Sequence, residues 1–362
     1  MRAIVLLGGQ GTRLRPLTLF SPKQALPIAE ESMIARVLAH LEAHGITEAV
    51  LSLGYRPDAF VELFPTAQAG GVALTYVVEP EPLDTAGAIA FAADAAGIES
   101  TFVVVNGDVL TDLDVSAMVE AHRRTGAEAT ISLAQVDDPS AFGMAQVGPD
   151  DQVSGFVEKP PPSTHRGPGW VNAGTYVVEP EALARIERGR RVSVEREVFP
   201  GLVADGRLFG FRSHDYWTDT GTPAQYLAAQ LDLLDGKRPG PPNSTAADAD
   251  SDGRWLVGSP RIDGEVVGPS LIGDGARIER GALVTRSVIG SGCVVMAGAE
   301  IRNSVLLPGA TIHEGAQVEG SIIGTEAIVG VKARVTDRSV VGPQASVPAG
   351  AALEGQLVPA AQ

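Results

Sequence analysis

The sequence predicts an α/β domain built on a mostly parallel sheet with helices on both faces, followed by a coil of short parallel strands. Three observations carry this. Up to about Asp235, short β-rich runs alternate with helical segments. Residues 236–254, "GKRPGPPNSTAADADSDGR", lack apolar periodicity and have the composition of a linker. Beyond them aliphatic residues recur at about every sixth position. The expected organisation is a domain over 1–235, a linker over 236–260 and a repeat over 261–356, with the two halves separable.

Each element has a local reason. "AIVLL" (3–7) is a strand, and "SMIARVLAHLEAHG" (32–45) has helical apolar spacing with Gly45 as its stop. "EAVLSL" and "VALTYVV" are further strands, "TAGAIAFAADAAG" is an alanine-rich helix, and "TFVVVNGD" is a buried strand with a polar tip. In sheets of this kind ligands gather at the carboxyl ends of the strands. The glycine-rich "LLGGQGTRLRPLT" (6–18) and Asn106-Gly107-Asp108 both stand at such ends.

In the repeat, Ser270, Ser287, Ser304, Ser321 and Ser339 open related tetrapeptides and are 17, 17, 17 and 18 residues apart. Aliphatics fall between them in threes, as in Ile272, Ile278 and Val284, or Ile289, Val295 and Ile301. Three six-residue faces make one triangular coil, and stacked coils bury the aliphatics along an axis. The pattern resembles the hexapeptide-repeat left-handed parallel β-helix.

Composition narrows the function. The formal net charge is −16, which argues against non-specific binding to nucleic acid or an anionic membrane. Any anionic ligand therefore needs a local cluster of positive groups. The single cysteine, Cys293, suits a reducing compartment, and a cytoplasmic protein is expected. No run of about 18 apolar residues is present to span a membrane.

The glycine loop fits neither common nucleotide motif. The spacing of a P-loop is absent, and Leu14 stands where a dinucleotide fingerprint needs its last glycine. What remains is a loop whose backbone N–H groups suit phosphate oxygens. Arg13 adds a planar donor fork, and Lys23 in "SPKQALP" adds a point charge. A tight turn after a strand is the plain alternative.

"GGQGTRLRPLT…SPKQALPI" resembles the signature of the sugar-1-phosphate nucleotidyltransferases. Further landmarks follow in order: "PLDTAGAI", "VNGDV", "FGMAQV", "FVEKP", "VNAGTYV" and "YWTDTGTP". The resemblance covers 1–235 and implies a Rossmann-like nucleotidyltransferase sheet. It also implies a reaction between a nucleoside triphosphate and a sugar 1-phosphate, with release of pyrophosphate. Arg13 and Lys23 are the implied catalytic cations. Leu7, Gly8, Gly9, Gly11, Thr12, Asp84, Thr85 and Gly87 are the implied nucleotide contacts. Gly143, Glu158, Lys159 and Asn172 are the implied sugar-phosphate contacts. Asp108 and Asp219 match the family's magnesium-binding carboxylates, and a homo-oligomer through the β-helix is implied as well. "FVEKP", "VNAGTYV" and "SVEREVFP" together resemble the branch that uses GTP and mannose 1-phosphate.

Each residue has a bland alternative. Asp219 suits a helix cap before 223–235, Asp108 a turn, and Glu158–Lys159 a solvated pair. Asp84 stands where the family usually has glycine. It is read here as a cap for the helix beginning near Thr85, with hydrogen bonding to guanine as the alternative. Three other functions compete. They are transfer to glucose 1-phosphate or an unusual sugar or cyclitol phosphate from ATP, dTTP or UTP; a non-catalytic regulatory paralogue; and a second, acyl-transferring activity in the coil, for which His313 is the available base.

Overall fold

The computed structural model describes residues 1–54, 56–161, 167–246 and 248–359. It resolves into two compact units. One comprises Met1–Gly9 with Ile34–Trp217, and the other Gln10–Met33 with the chain from Thr218 onward.

The first unit is organised by ten strands in one mixed sheet. Its main elements are β1 (Arg2–Leu7), α1 (Met33–Ala43), β2 (Glu48–Leu53), β3 (Val72–Val78), α2 (Asp84–Ala96) and β4 (Phe102–Asn106). They continue with α3 (Val115–Thr125), β5 (Ala129–Val136), β6 (Gly143–Val147), β7 (Val153–Glu158), β8 (Gly169–Val178) and β9 (Leu208–Ser213). The main path runs β7-β6-β8-β4-β1-β2-β3, with β5 on β8 and β9 on β5. Strands β3, β2, β1 and β4 are mutually parallel, as expected of the α/β alternation. From β8 outward the pairing to β4, β5 and β6 is antiparallel.

Residue alternation along the central strands creates two cores, one on each face of the sheet. Ile4 of β1 and Phe102 and Val104 of β4 pack with Ala86, Ile89, Ala90 and Ala93 of α2. Their neighbours Ala3, Val5, Leu7, Val103 and Val105 pack instead with Ile34, Leu38 and Leu41 of α1 and Met118 of α3. Alanine dominates the first helix face because α2 lies close against the sheet and longer side chains would not fit. Helix α3 starts at Asp114, whose carboxylate accepts from the Ala117 N–H at 2.8 Å, and stops at Gly126 with φ 62°.

The second unit contains the repeat. Its strands stack in three all-parallel ladders of seven, six and six strands. Ile272, Ile278, Val284, Ile289, Val295 and Ile301 and their later counterparts are fully buried along the axis. These ladders fit the left-handed β-helix. The first coil starts at Arg254–Leu256, which pairs with Ser270–Ile272, so it begins inside the stretch read as linker. That coil lacks the serine-led tetrapeptide, and its boundary is therefore invisible to the repeat.

The recurrent serines explain themselves here. Ser270, Ser287, Ser304, Ser321 and Ser339 are all fully buried. Each of the first three accepts, through Oγ, the backbone N–H of the next serine: Ser287 at 3.3 Å, Ser304 at 3.1 Å and Ser321 at 3.1 Å. The hydroxyls donate back to nearby carbonyls, as Ser304 does to Arg302 O at 2.6 Å. A small side chain with both donor and acceptor is what a dry corner of the coil requires.

The same unit holds Gln10–Met33 and the helix α4 (Pro223–Leu234). Fully buried Gln230 of α4 accepts from Ala29 N at 2.9 Å and donates to Pro27 O at 3.2 Å. Asn243, only 2% exposed, donates to Ala29 O at 2.7 Å, so the supposed linker packs against the signature segment. At the end of α4, Asp235 pairs with Arg286 of the coil, and that guanidinium holds the carboxyl pKa below its usual value. The packing thus joins 10–33 and 218–235 to the repeat, and does not isolate 1–235.

Replacing Ser304 by alanine strands the buried Ser321 N–H. A loss of about 1–3 kcal/mol is expected, read as a lowered denaturation midpoint by circular dichroism; an unchanged midpoint would remove the serine ladder as a source of stability.

Candidate active site

The sequence-predicted residues divide between the two units. In the first, Leu7 ends β1 and Gly8 and Gly9 follow it, with Gly9 at φ 98°. β4 lies beside β1 in parallel register, Leu6 opposite Asn106. Gly107 N donates to Leu6 O at 3.0 Å, which sets the turn Gly107–Asp108 next to the glycine loop. Both lie at the carboxyl edge of the sheet.

The 83–87 segment is clamped by 192–195. Thr85 Oγ1 donates to Glu195 Oε2 at 3.0 Å and accepts from Val194 N at 2.8 Å. Ala86 N and Gly87 N both donate to Val192 O. A Cβ on Gly87 would stand 2.9 Å from Arg190 O, so this glycine admits the 190–192 backbone. The helix-cap expectation for Asp84 needs correction. Leu83 occupies the cap position without a side-chain bond, and Asp84 opens the helix itself at φ 61°. Its Oδ1 accepts only the adjacent Thr85 N–H, at 2.8 Å, and its side chain is otherwise exposed. Glycine suits that backbone better than aspartate.

Of the residues expected to contact the sugar phosphate, Asn172 bonds Tyr176. Asn172 donates from Nδ2 to the Tyr176 hydroxyl at 2.9 Å and accepts from Gly174 N at 3.1 Å, so its amide is oriented at both ends. Burial, then the charge of Glu195, push the Tyr176 phenol pKa up; the Asn172 bond opposes this, and Glu158 and Asp108 add to the rise. A Cβ on Gly143 would lie 2.5 Å from Phe156 Cζ and 2.9 Å from Glu158 Oε2, so the missing side chain admits that ring and, beside it, the carboxylate. Lys159 sits at φ 48° with its N–H on Phe142 O at 3.0 Å, and its ammonium lies 3.3 Å from Glu158 Oε1. The lysine side chain is 61% exposed, and an exposed pair of this kind contributes little stability.

In the second unit, Gly11 (φ 60°) starts the single turn Thr12–Leu14 that carries Arg13. A Cβ on Gly11 would stand 3.0 Å from Thr18 Cγ2 and 3.2 Å from Lys23 Cβ, so its absence lets the segment fold on itself. Thr18 Oγ1 locks the fold by donating to Gly11 O at 2.8 Å. Lys23 follows Pro22 in a second short turn and is only 8% exposed. Arg13 Nη2 lies 3.9 Å from Asp219 Oδ2, with the guanidinium largely exposed and the carboxylate mostly covered. The cap reading for Asp219 fails, because Thr222 is the cap of α4 and accepts from Gln225 N at 3.3 Å.

Comparisons with known proteins follow this geometry. Residues 2–236 match the nucleotidyl transferase family model, and residues 266–361 match a GMPPB C-terminal domain model. A mannose-1-phosphate guanylyltransferase of Mycobacterium tuberculosis is 38% identical over 301 residues, 78% of this chain and 82% of that protein. A probable mannose-1-phosphate guanylyltransferase of Oryza sativa subsp. japonica is 36% identical over 75% of this chain and 76% of its own. Among solved structures, HddC from Yersinia pseudotuberculosis complexed with GMP-PN superposes with a TM-score of 0.55 at 28% identity. It covers 63% of this chain and 97% of its own. The chain belongs to the nucleotidyl transferase family.

Three residues of this nucleotidyltransferase escaped the sequence reading. Glu79 links the two sides of the nucleotide loop. Its Oε2 accepts from Leu83 N at 3.1 Å and its Oε1 from Ser52 Oγ at 3.3 Å, while a Cβ on Gly8 would be 4.0 Å from Oε1. Burial raises its carboxyl pKa, and those two donors partly offset the rise. Glu195 is the clamp on Thr85, and only its place in "SVEREV" hinted at a role. Gly221 is the third. A Cβ there would meet Arg13 Nη2 at 2.7 Å and Asp219 Oδ1 at 2.8 Å.

Gly221→Ala therefore pushes apart two flexible charged side chains and no backbone. The expected result is a thermal midpoint near wild type with kcat down about tenfold or more, since small misplacements of charged groups are costly. Wild-type kcat in this variant would mean that the close approach of Arg13 and Asp219 is irrelevant to turnover.

Proposed function

We infer that the protein transfers the guanylyl group of GTP to mannose 1-phosphate, giving GDP-mannose and pyrophosphate. The observation that carries this is the likeness to a mannose-1-phosphate guanylyltransferase along 78% of the chain. A phosphate oxygen of the sugar attacks the α-phosphorus in line, and the bond from that phosphorus to the bridging β-phosphate oxygen breaks. No general base is required, because the sugar phosphate is already ionised at neutral pH. The protein's work is to position two polyanions and to stabilise the departing pyrophosphate.

The roles follow from residue chemistry. The N–H groups around Leu7, Gly8, Gly9, Gly11 and Thr12 serve the triphosphate. Arg13 serves the leaving phosphates and Lys23 the α-phosphate. Asp84, Thr85 and Gly87 form the base side. Lys159 takes the sugar phosphate, while Gly143, Glu158 and Asn172 take the sugar. The exposed guanidinium of Arg13, only loosely paired with Asp219, supports its part because it is available to an incoming phosphate.

Magnesium is the proposed cofactor, with Asp108 and Asp219 as its carboxylates. Both are hard oxygen donors of the kind magnesium prefers. Magnesium characteristically takes one or two carboxylates, with water and phosphate oxygens completing its shell. When bound it supplies Lewis-acid neutralisation of phosphate charge.

A homo-oligomer held through the β-helix and a cytoplasmic location complete the reading. Exposed Ile328, Val331 and Leu357 on the later coils support the first, and the buried lone thiol of Cys293 the second. No helix among the described residues is long and apolar enough to cross a membrane.

A matrix of nucleoside triphosphates against sugar 1-phosphates, read as pyrophosphate release, tests the assignment. GTP with mannose 1-phosphate is expected to give the highest kcat/KM, and excess chelator is expected to abolish release. A preference for ATP, UTP or dTTP would overturn the guanylyl assignment alone. Turnover unaffected by chelator would overturn the magnesium claim.

Asp84→Gly separates base reading from local structure. The left-handed backbone favours glycine, so stability is expected to hold or to rise by up to about 1 kcal/mol. A fall in the GTP-over-ATP preference would assign guanine recognition to Asp84, and an unchanged preference would leave it a turn residue.

A further inference from the structure

The segment that carries Arg13 and Lys23 buries Leu14, Leu17, Leu26 and Ile28, and polar bonds hold it at several points besides. Its hairpin pairs Pro27–Ile28 with Glu31–Ser32 and turns through Ala29 (φ 46°) and Glu30 (φ 72°). Two successive non-glycine residues in the left-handed region are unfavourable and persist only where their surroundings over-determine them. Gln230 and Asn243 hold the N–H and carbonyl of Ala29. Ser244 N donates to the Glu31 carboxylate, and the Tyr226 hydroxyl donates to Pro27 O.

The tip itself reaches the β-helix. Glu30 Oε2 accepts from Ser291 N at 2.8 Å and from the Ser291 hydroxyl. The coil is shaped to receive it, because a Cβ on Gly273 would stand 2.7 Å from that same oxygen. At the other end of the segment, Pro16 rests on a later coil, where a Cβ on Gly342 would be 2.9 Å from Pro16 Cβ. The Arg13–Lys23 stretch, at Pro16, and the hairpin that follows it, at Glu30, therefore both lean on the repeat.

We propose that Glu30 is a positioning residue, through which the β-helix holds Arg13 and Lys23 in the arrangement that nucleotidyl transfer requires. The proposal rests on the roles given to those two cations above. Glu30 touches no reacting atom. It fixes the hairpin that follows Lys23, and through the Lys23–Ala25 turn and the Thr18–Gly11 bond it limits where both cations lie. The carboxylate acts here as an acceptor, taking both the N–H and the hydroxyl of Ser291 on one oxygen; burial raises its pKa and those donors oppose the rise.

The test uses the full chain, with Glu30→Ala and Glu30→Gln compared in steady-state kinetics and in hydrogen exchange over residues 11–26. Alanine keeps the same backbone preference but removes the acceptor. It is expected to lower kcat about tenfold, to leave KM for the sugar phosphate unchanged and to speed exchange at Leu14, Leu17 and Leu26. Glutamine retains an acceptor oxygen and is expected to restore most of the turnover and protection. Ser304→Ala, which weakens the coil elsewhere, is expected to lower the denaturation midpoint with kcat intact. Wild-type kcat and exchange in Glu30→Ala, failure of glutamine to rescue, or an equal kcat loss in Ser304→Ala would each overturn the proposal. Should Glu30→Ala fail to fold, Ser291→Ala replaces it, with the same directions expected and unchanged kcat and exchange counting against it. If the wild-type protein turned over no substrate pair, the reaction assignment would fall, and the exchange data alone would decide whether Glu30 anchors the segment.

Discussion

The parallel pairing of Ala3–Leu6 with Val103–Asn106 is the constraint on which the first unit depends. It aligns the carboxyl ends of two adjacent strands, so two loops that are a hundred residues apart in sequence leave the sheet side by side. One contains Gly8 and Gly9, and the other Gly107 and Asp108. Alternation along those same two strands sends Ile4 and Val104 to one core and Val5 and Val105 to the other. A slip of one residue would exchange the cores and misalign the loops together, so the register that buries apolar surface also sets the chemistry.

Left-handed backbone at non-glycine residues recurs along the chain, many times in the turns of the coil, and three instances bear on the candidate site. Asp84, Lys159 and Glu30 all carry left-handed φ without being glycine. Each belongs to a segment with a proposed job: base side, sugar phosphate, and support of the Arg13–Lys23 stretch. In each case neighbouring hydrogen bonds hold the conformation, from Thr85 N onto Asp84, from Lys159 N onto Phe142 O, and from Ser291 onto Glu30. Unfavourable backbone held by specific bonds fixes a side chain's direction more tightly than a regular helix or strand would.

Much of this was legible in the sequence, for physical reasons that can be named. Apolar runs revealed β1 and β2 because both faces of these strands are covered, alternation revealed β3, and helical spacing or alanine content revealed α1 and α2. The seventeen-residue serine spacing revealed the coil because every turn repeats one environment. The motif residues were found because glycine, arginine and aspartate at strand ends have few purposes. Other features have no sequence period. The antiparallel strands β5 to β8 alternate in the same way as any strand, so their direction could not be read. Glu79 and Gly221 act by contacts with residues far away in the chain. The first coil, at Arg254–Leu256, carries no serine signature.

The linker expectation failed for a reason that also concerns function. Low apolar content over 236–254 was taken to mean few contacts, but a segment can be tied by polar bonds that composition does not register. Asn243 is nearly completely buried and bonded to Ala29, and Asp235 pairs with Arg286. These bonds draw 10–33, the helix α4 and the repeat into one compact unit, although the family match assigns the first two to the catalytic stretch 2–236. The stretch from Gln10 to Ser32 lies in the chain between β1 and α1, and the contacts described for it beyond itself are with Asp219 and Gly221, α4, the 243–244 segment and the coils. A stack of parallel coils is stiff because each strand is hydrogen-bonded on both sides within a continuous apolar axis. On the proposal made for Glu30, anchoring this loop to such a stack lowers the freedom of Arg13 and Lys23 before substrate arrives. On an acidic chain with few cations to spare, that restriction matters more than additional charge.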